Sequence, residues 1–318
     1  MNKLYTNELI SPDGVTYTNN SNINKEAAIF AMFHDSLYTG GKPREGKLST
    51  TTVIGPIRKA LLSIKNPTTS DKDVATMMAS SRGTALHEQM ARALTWMNIG
   101  YKVEQRGSRE IAGWKISGEY DVITPDGVLK DLKFVSNYSY VHLKEEQDRM
   151  TESMSMEELS VQFPTVFKYM AQLSIYRWIF KELDLQPYAS ILFMFNNGTN
   201  FGQIPSVDIE VRFPTFPYEE VESYLTDKIN IIKQHIEEGT LPLCTPAERG
   251  TTQAEYKVKR MNKTGKYATV AGSKFNNRSD VDAFLRNKGR AGDIVDETPA
   301  SHKLCNYCPH YGTTCDQI

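Results

Sequence analysis

The segment Ser117–Ser136, SGEYDVITPDGVLKDLKFVS, constrains the fold more than any other stretch. Pro125-Asp126-Gly127 is turn chemistry: proline fixes φ, aspartate bonds its own backbone and glycine accepts a left-handed conformation. Alternating runs on either side predict a β-hairpin. In a hairpin symmetric about Asp126, Asp121 and Asp131 face each other on one side of the sheet, with Cβ atoms about 5 Å apart. Period two puts Lys133 on the same side. Two carboxylates that close repel, so one takes a proton or a cation lies between them. Mg²⁺ suits such a pair, because it uses one or two carboxylates and completes its shell with waters and phosphate oxygens. The lysine would then offset charge on a phosphate or help deprotonate water, which are the parts of metal-assisted phosphodiester hydrolysis. The same three residues also read as an ordinary ion pair on a strand.

Apolar periodicity fills in the surroundings. Val53-Ile54, Ile57 and Leu61-Leu62 recur at helix spacing, and Gly83–Asn98 predicts a helix with Leu86, Met90, Ala93/Leu94 and Met97 on one stripe. Strands are expected at Tyr101–Arg106, Arg109–Ile116, Gly118–Ile123 and Val128–Val135. Ser136–Gln162 reads as a loop or a charged helix. Thr165–Leu183 is helical, with Val166, Tyr169, Leu173, Tyr176 and Phe180 on one face. Two strands, Tyr188–Phe195 and Ser206–Phe213, and an amphipathic helix, Tyr218–Glu238, follow. The mixture predicts an α/β fold.

With 318 residues the chain is expected to hold about two domains, at roughly 150 residues each. Residues 1–47 are polar and Asn-rich, an N-terminal arm or subdomain with turn signals at Pro12-Asp13-Gly14 and Gly40-Gly41 and a short helix near Ala27–Phe33. Residues 48–243 form the core, and 244–318 a small appended module. Gly41–Lys47 has the spacing of a phosphate loop, but Leu48 stands where the magnesium-binding hydroxyl belongs and no apolar strand precedes it, which argues against a nucleotide site.

Charge excludes a global positive field, since Lys+Arg is 37 against Asp+Glu 38. Residues 257–290 are locally basic, with Lys257, Lys259, Arg260, Lys274 and Arg278 among others, and form a candidate track for a nucleic-acid backbone or a solvated face. No motif reads bases, so no sequence specificity is expected. No apolar run approaches the roughly 20 residues of a membrane helix and the N-terminus has no signal-peptide core, so a cytoplasmic location without membrane contact is the expectation. All four cysteines, Cys244, Cys305, Cys308 and Cys315, lie in the last quarter, which points to a metal or iron–sulfur site more than to disulfides. His310 is an alternative ligand.

Short motifs in order carry a resemblance. GEYDVI around Asp121 followed by Asp131-Leu132-Lys133 resembles the D…(D/E)xK signature of the PD-(D/E)XK nuclease superfamily. GTALHE around His87 looks like the upstream histidine motif of its RecB-like branch, and QLSIY, Gln172 to Tyr176, like the downstream Gln-x-x-x-Tyr motif. LSTTTVI (Leu48–Ile54), CTPAER (Cys244–Arg249) and the terminal C-x-x-C…C resemble phage-encoded exonucleases with a C-terminal iron–sulfur cluster, related to the CRISPR-associated adaptation nucleases. The likeness spans residues 48–318. In the better-known iron–sulfur members one cluster cysteine precedes the nuclease motifs; here all four follow them.

The resemblance implies a restriction-endonuclease-like core, a mixed sheet flanked by helices, with a small C-terminal cysteine-cluster module. It implies a Mg²⁺- or Mn²⁺-dependent deoxyribonuclease, an exonuclease acting on single-stranded or end-exposed DNA in recombination, repair or replication. A helicase or a recombination or replication protein would be its partner, in the host cytoplasm if the chain is phage-encoded. His87, Asp121 and Asp131 would be metal ligands, the Leu132 main-chain carbonyl a fourth, Lys133 the catalytic lysine, and Gln172 and Tyr176 residues over the active site. The four cysteines would hold a [4Fe–4S] cluster, with Zn²⁺ as the alternative. Glu88 and Glu119 neighbour the site and read as solvated carboxylates. Competing readings are a structure-specific endonuclease and a non-catalytic nucleic-acid-binding module of the same fold.

Overall fold

The computed structural model describes residues 8–12, 14–19, 23–37, 43–66, 73–151, 153–195, 209–305, 308–311 and 314–315. The Gly40-Gly41 turn signal, the start of the phosphate-loop-like motif and residues 206–208 of the expected strand lie outside them. The chain divides into two compact units, Met1–Pro242 and Leu243–Ile318.

The first unit begins with a short hairpin, β1 (Glu8–Ile10) and β2 (Thr16–Thr18), and helix α1 (Lys25–Leu37). β3 (Lys47–Ser49) leads into α2 (Thr50–Val53), capped by the Ser49 hydroxyl, then α3 (Ile57–Lys65) and the long α4 (Val74–Met97). Tyr17, Ala28, Ala31 and Met32 pack with Val74 and Met78, which seats β2 and α1 on the first turns of α4.

Three strands follow where four are expected: β4 (Lys102–Ile111), β5 (Trp114–Ile123) and β6 (Leu129–Val135). The turn between the first two is Ala112-Gly113, both at positive φ, as a tight two-residue hairpin requires. Gly107, which separates two expected strands, and Gly118, which opens another, both lie inside strands at points of close approach. A Cβ on Gly107 would lie 2.4 Å from Phe180, and one on Gly118 2.6 Å from Tyr176.

The polar connection is helical, α5 (Asn137–Gln147) and α6 (Met156–Gln162), the latter closed by a Ser155–Glu158 capping box. α7 (Pro164–Ile179) is buried almost all round, which explains its near-continuous apolar sequence. β7 (Tyr188–Phe195), β8 (Ile209–Pro214) and α8 (Tyr218–Glu237) complete the unit. The sheet is mixed, in the order β3-β5-β6-β7-β8 with β4 on β5; β3–β5 and β6–β7 are parallel and the other pairs antiparallel.

Alternate residues of β6 and β7 separate two layers. Leu129, Ala189, Ile191 and Phe193 join the main core with α7 and α8, while Leu132, Leu192 and Met194 pack with Leu86, Met90 and Leu94 of α4. Met97, expected on the same stripe, is 51% exposed, because it lies in the last turn, past the edge of the sheet. The architecture is a mixed sheet flanked by helices, as the sequence implies.

The second unit holds α9 (Pro246–Arg249), β9 (Thr251–Thr252), β10 (Glu255–Met261), β11 (Tyr267–Phe275), α10 (Arg278–Lys288), β12 (Ile294–Thr298) and β13 (Ser301–His302). β10 lies between β11 and β12 in a three-stranded antiparallel sheet. Among the described residues no helix is long and apolar enough to cross a membrane.

Candidate active site

The hairpin register is the one the turn dictates: Val122 pairs with Lys130 and Ile123 with Leu129, symmetric about Asp126. The ladder then stops. β6 leaves β5 and runs parallel to β7 along its whole length, while β3 pairs with β5 at Lys115–Ser117. Gly118–Asp121 therefore lies between the two stretches of β5 paired with β3 and β6. Had the ladder continued, the Leu132 N–H would have met the Tyr120 carbonyl. It donates instead to Asp121 Oδ2 at 2.6 Å.

This gap gathers the residues. His87 on α4 reaches Asp121, Nδ1 to Oδ1 3.4 Å. Asp131 is 4% exposed, with Lys133 Nζ 2.7 Å from its Oδ2. That oxygen has a charge partner but no donor aligned for a hydrogen bond. From α7, Gln172 Nε2 donates to Asp131 Oδ1 and to the Tyr176 hydroxyl, both at 3.1 Å. Helices from opposite faces of the sheet thus meet the two carboxylates where the strands part.

Electrostatics follow burial. Burial pushes the Asp131 carboxyl upward, and Asp121 adds to this against the pull of Lys133. Burial opposes the charged form of Lys133, but Asp131 and then Asp121 outweigh it and hold the ammonium protonated well above the usual lysine range. The Tyr176 hydroxyl is pushed far up, by burial first and Asp131 second, so it is a neutral phenol. For His87, burial works against protonation, yet the Asp121 carboxylate prevails and raises its pKa.

Two further residues stand here. Glu104 on β4 occupies the ladder position across from Asp121, between the Val103–Val122 and Gln105–Tyr120 pairs, with φ 44°. A left-handed glutamate in a strand is strained backbone of the kind that collects at functional sites. Partial burial and then Asp121 raise its pKa. Lys168 lies one turn before Gln172 and two before Tyr176, on the same line of α7. Desolvation, then the Lys133 and Lys59 charges, lower its pKa. Its signal in the sequence was the spacing of four from Gln172; Glu104 had none, since its position depends on strand register.

The carboxylates suit a magnesium-type ion, which takes one or two carboxylates and otherwise waters and phosphate oxygens. Asp131 Oδ2, buried without an aligned donor, is the atom that fits such a cation. A closed cage is not present: among the described residues no three His, Cys, Asp or Glu side chains are arranged to hold a metal ion. This covers the cysteines also, all of them in the second unit and half-buried. Cys305 and Cys308 share a turn (Cys308 N–H to Cys305 C=O, 2.9 Å), and the Cys315 N–H donates to the His310 carbonyl at 2.8 Å. Burial, then neighbouring Cys308, raises the pKa of the Cys305 thiol. Thr245 of the CTPAER motif caps α9 through a box with Glu248.

Four cations of the basic segment are paired with carboxylates. Lys257 pairs with Glu255, Lys259 with Asp296 (2.6 Å), Arg260 with Asp293 (2.6 Å) and Arg278 with Asp282 (3.3 Å). β12 brings Asp296 to Lys259, and the loop just before it brings Asp293 to Arg260.

No protein-family model matches the chain, and no curated protein matches it. Several solved structures resemble it. The structure of SSO0001 matches at 15% identity and TM-score 0.41, over 66% of this chain and 86% of its own. An alkaline exonuclease from Laribacter hongkongensis matches at 16% identity and TM-score 0.37, over 61% and 92%. A phage-related exonuclease from Haemophilus somnus matches at 19% identity and TM-score 0.34, over 51% and 74%. Likenesses this distant carry no argument about what this chain does.

Proposed function

We propose that the chain is a metal-dependent deoxyribonuclease with Asp121, Asp131 and Lys133 at its centre. The observation that supports this best is a buried carboxylate, Asp131, held between Lys133 and Gln172 beside Asp121 at a gap in the sheet. Isolated buried charges are costly and are retained where they perform chemistry.

In this reading His87, Asp121 and Asp131 hold Mg²⁺ or Mn²⁺, with the Leu132 carbonyl as a further ligand. When bound, the ion supplies charge that polarises a phosphodiester and acidifies water. Lys133, kept protonated by its carboxylate neighbours, offsets charge gathering on the phosphate; it acts as a base only when Asp131 is engaged elsewhere. Gln172 orients Asp131 and is itself fixed by the Tyr176 hydroxyl. Lys168 places a second ammonium on the same helix face for a neighbouring phosphate. DNA, single-stranded or with exposed ends, is the substrate, and action from an end is the favoured mode. In the same reading the four cysteines bind an iron–sulfur cluster or zinc that ties down the tail, and no step of the hydrolysis runs through them.

The test is digestion of end-labelled linear and covalently closed circular single strands with Mg²⁺ or Mn²⁺. Cleavage of the linear strand alone is expected. Cleavage of both means an endonuclease. Cleavage of neither refutes the enzyme and leaves a binding module.

A further inference from the structure

An open groove of about 630 Å³ runs between α4 and β4, lined by Glu88, Ala91, Arg92, Trp96, Val103 and Glu104. Its inner end is at the candidate site, because Glu104 lies across the ladder from Asp121 and next to His87 in sequence is Glu88. Its outer end is Trp96, which is 82% exposed, whereas Trp114 and Trp178 are 5% and 1% exposed. Met97 and Ile99 beside it are also exposed. Leaving an indole in water forgoes the stabilisation its burial would give, so this corner is a candidate contact surface.

We propose that this groove receives the unpaired bases of a single nucleic-acid strand and that Trp96 is the platform on which a base stacks. The inference rests on the nuclease reading and adds to it the feature that selects unpaired substrate. Three observations carry it. The first is the exposed indole, since an aromatic face accepts any base. The second is spacing: Glu88, Arg92 and Trp96 recur every four residues along one line of α4, so the Arg92 cation is beside the stacked base. Trp96 is nine residues past His87, about 13 Å along the helix axis, within reach of a strand whose scissile phosphate is at the site.

The third observation is charge. Glu88 and Glu104 line the inner groove and repel phosphates, while carboxylates accept hydrogen bonds from the amino groups of bases. The strand therefore lies with its bases toward the groove and its backbone away from it. A duplex keeps its base faces stacked inside and presents phosphates, which this surface disfavours. Backbone contacts fall to Lys168 instead.

Trp96 makes its own test, because the other two of the three tryptophans are buried. Emission is followed with the metal chelated, while a mixed-sequence single strand, an abasic strand of equal length and a blunt duplex are titrated in turn. The single strand should quench the exposed indole, and the other two should not. Trp96→Ala should abolish the quench and weaken single-strand binding about 5- to 140-fold, the range for one lost stacking contact. Trp96→Phe should restore much of the affinity. Unchanged emission on strand binding, equal quenching by the abasic strand, or wild-type affinity in Trp96→Ala would each overturn the proposal. So would an emission change with protein concentration alone, which would assign the face to a second copy of the chain. A protein that is quenched yet cleaves nothing with Mg²⁺ or Mn²⁺ supports the groove and refutes the nuclease; one that cleaves without quenching does the reverse.

Discussion

A methyl group added at Gly118 tests whether the core and the site are one object. An ideal Cβ there lies 2.6 and 2.8 Å from two Tyr176 ring carbons and 2.9 Å from Thr50 Oγ1, where ordinary contact begins at 3.4 Å. The ring must retreat about 0.8 Å to restore that contact. It has little room, being 8% exposed and part of the main core, and Thr50 is bonded to the Ser117 carbonyl at 3.1 Å. Overpacking of this kind costs about 1–3 kcal/mol. For a unit of this size that lowers the melting temperature by about 2–12 °C.

The same retreat strains the bond between the Tyr176 hydroxyl and Gln172 Nε2, now 3.1 Å, and so loosens the side chain that fixes Asp131. A displacement near 1 Å at reacting groups costs on the order of 100-fold in rate. Gly118→Ala should therefore melt lower and cleave about 10- to 100-fold more slowly. Gly83→Ala is the control. It lies within α4, where an added Cβ meets nothing within 4 Å, and should stabilise by about 0.5–1 kcal/mol with no loss of rate. Wild-type melting and wild-type rate in Gly118→Ala would refute the argument. A lower melting point with an unchanged rate would keep the packing account and detach Tyr176 from the site.

Other outcomes are expected. Asp131→Asn should abolish metal-dependent cleavage yet bind DNA, and Lys133→Ala should lose about 10²–10⁴-fold in rate while still binding Mn²⁺, with Lys133→Arg a poor rescue; full activity in either alanine or asparagine variant would remove the site. Lys168→Ala should raise KM with little change in kcat and lower the salt dependence of binding by about one phosphate contact; an unchanged slope would place Lys168 off the backbone. Arg260 holds the Asp293 carboxyl down at about 2, so its contribution to the second unit is complete above 3.8 and fades as pH falls from there toward 2. Hydrogen exchange in β10 and β12 should quicken over that window in the wild type but not in Asp293→Asn, and the same acid response in both would exclude the pair as its cause. Chain prepared without oxygen should carry about four irons, or one zinc, and Cys308→Ser should lose them; folded, active protein with neither metal would dismiss the cysteine site.

The hairpin around Asp126 was legible in the sequence because everything that sets it is local: a turn, two alternating runs and a centre of symmetry. The register came out as the turn dictates, and with it the shared neighbourhood of Asp121, Asp131 and Lys133. What local pattern does not carry is where the ladder ends. That depends on β6 preferring β7, a strand more than fifty residues on, to the rest of β5. The two glycines illustrate the same limit. Gly107 reads as a break between strands and Gly118 as the start of one, yet each is inside a strand and small because an aromatic ring from α7 or the turn after it is pressed against the backbone. The turn itself took Ala112, a residue that seldom accepts positive φ.

Long-range placement also bears on the basic segment. Ten lysines and arginines in a row of sequence suggest a field, but field strength depends on what stands opposite. β12 sets Asp296 against Lys259, and the loop before it sets Asp293 against Arg260. Near the candidate site positive charge stands on α7, at Lys168, and on α3, at Lys59; burial, then Lys133 and Lys59, depress the Lys168 pKa. Among the described residues no ion pair ties up Lys59 or Lys168. A phosphate near Asp131 would thus be met by ammonium groups from the core helices, and a strand entering past Trp96 would lay its bases against glutamates. Bases on one wall and phosphates on the other is an arrangement that unpaired DNA can satisfy and a closed duplex cannot.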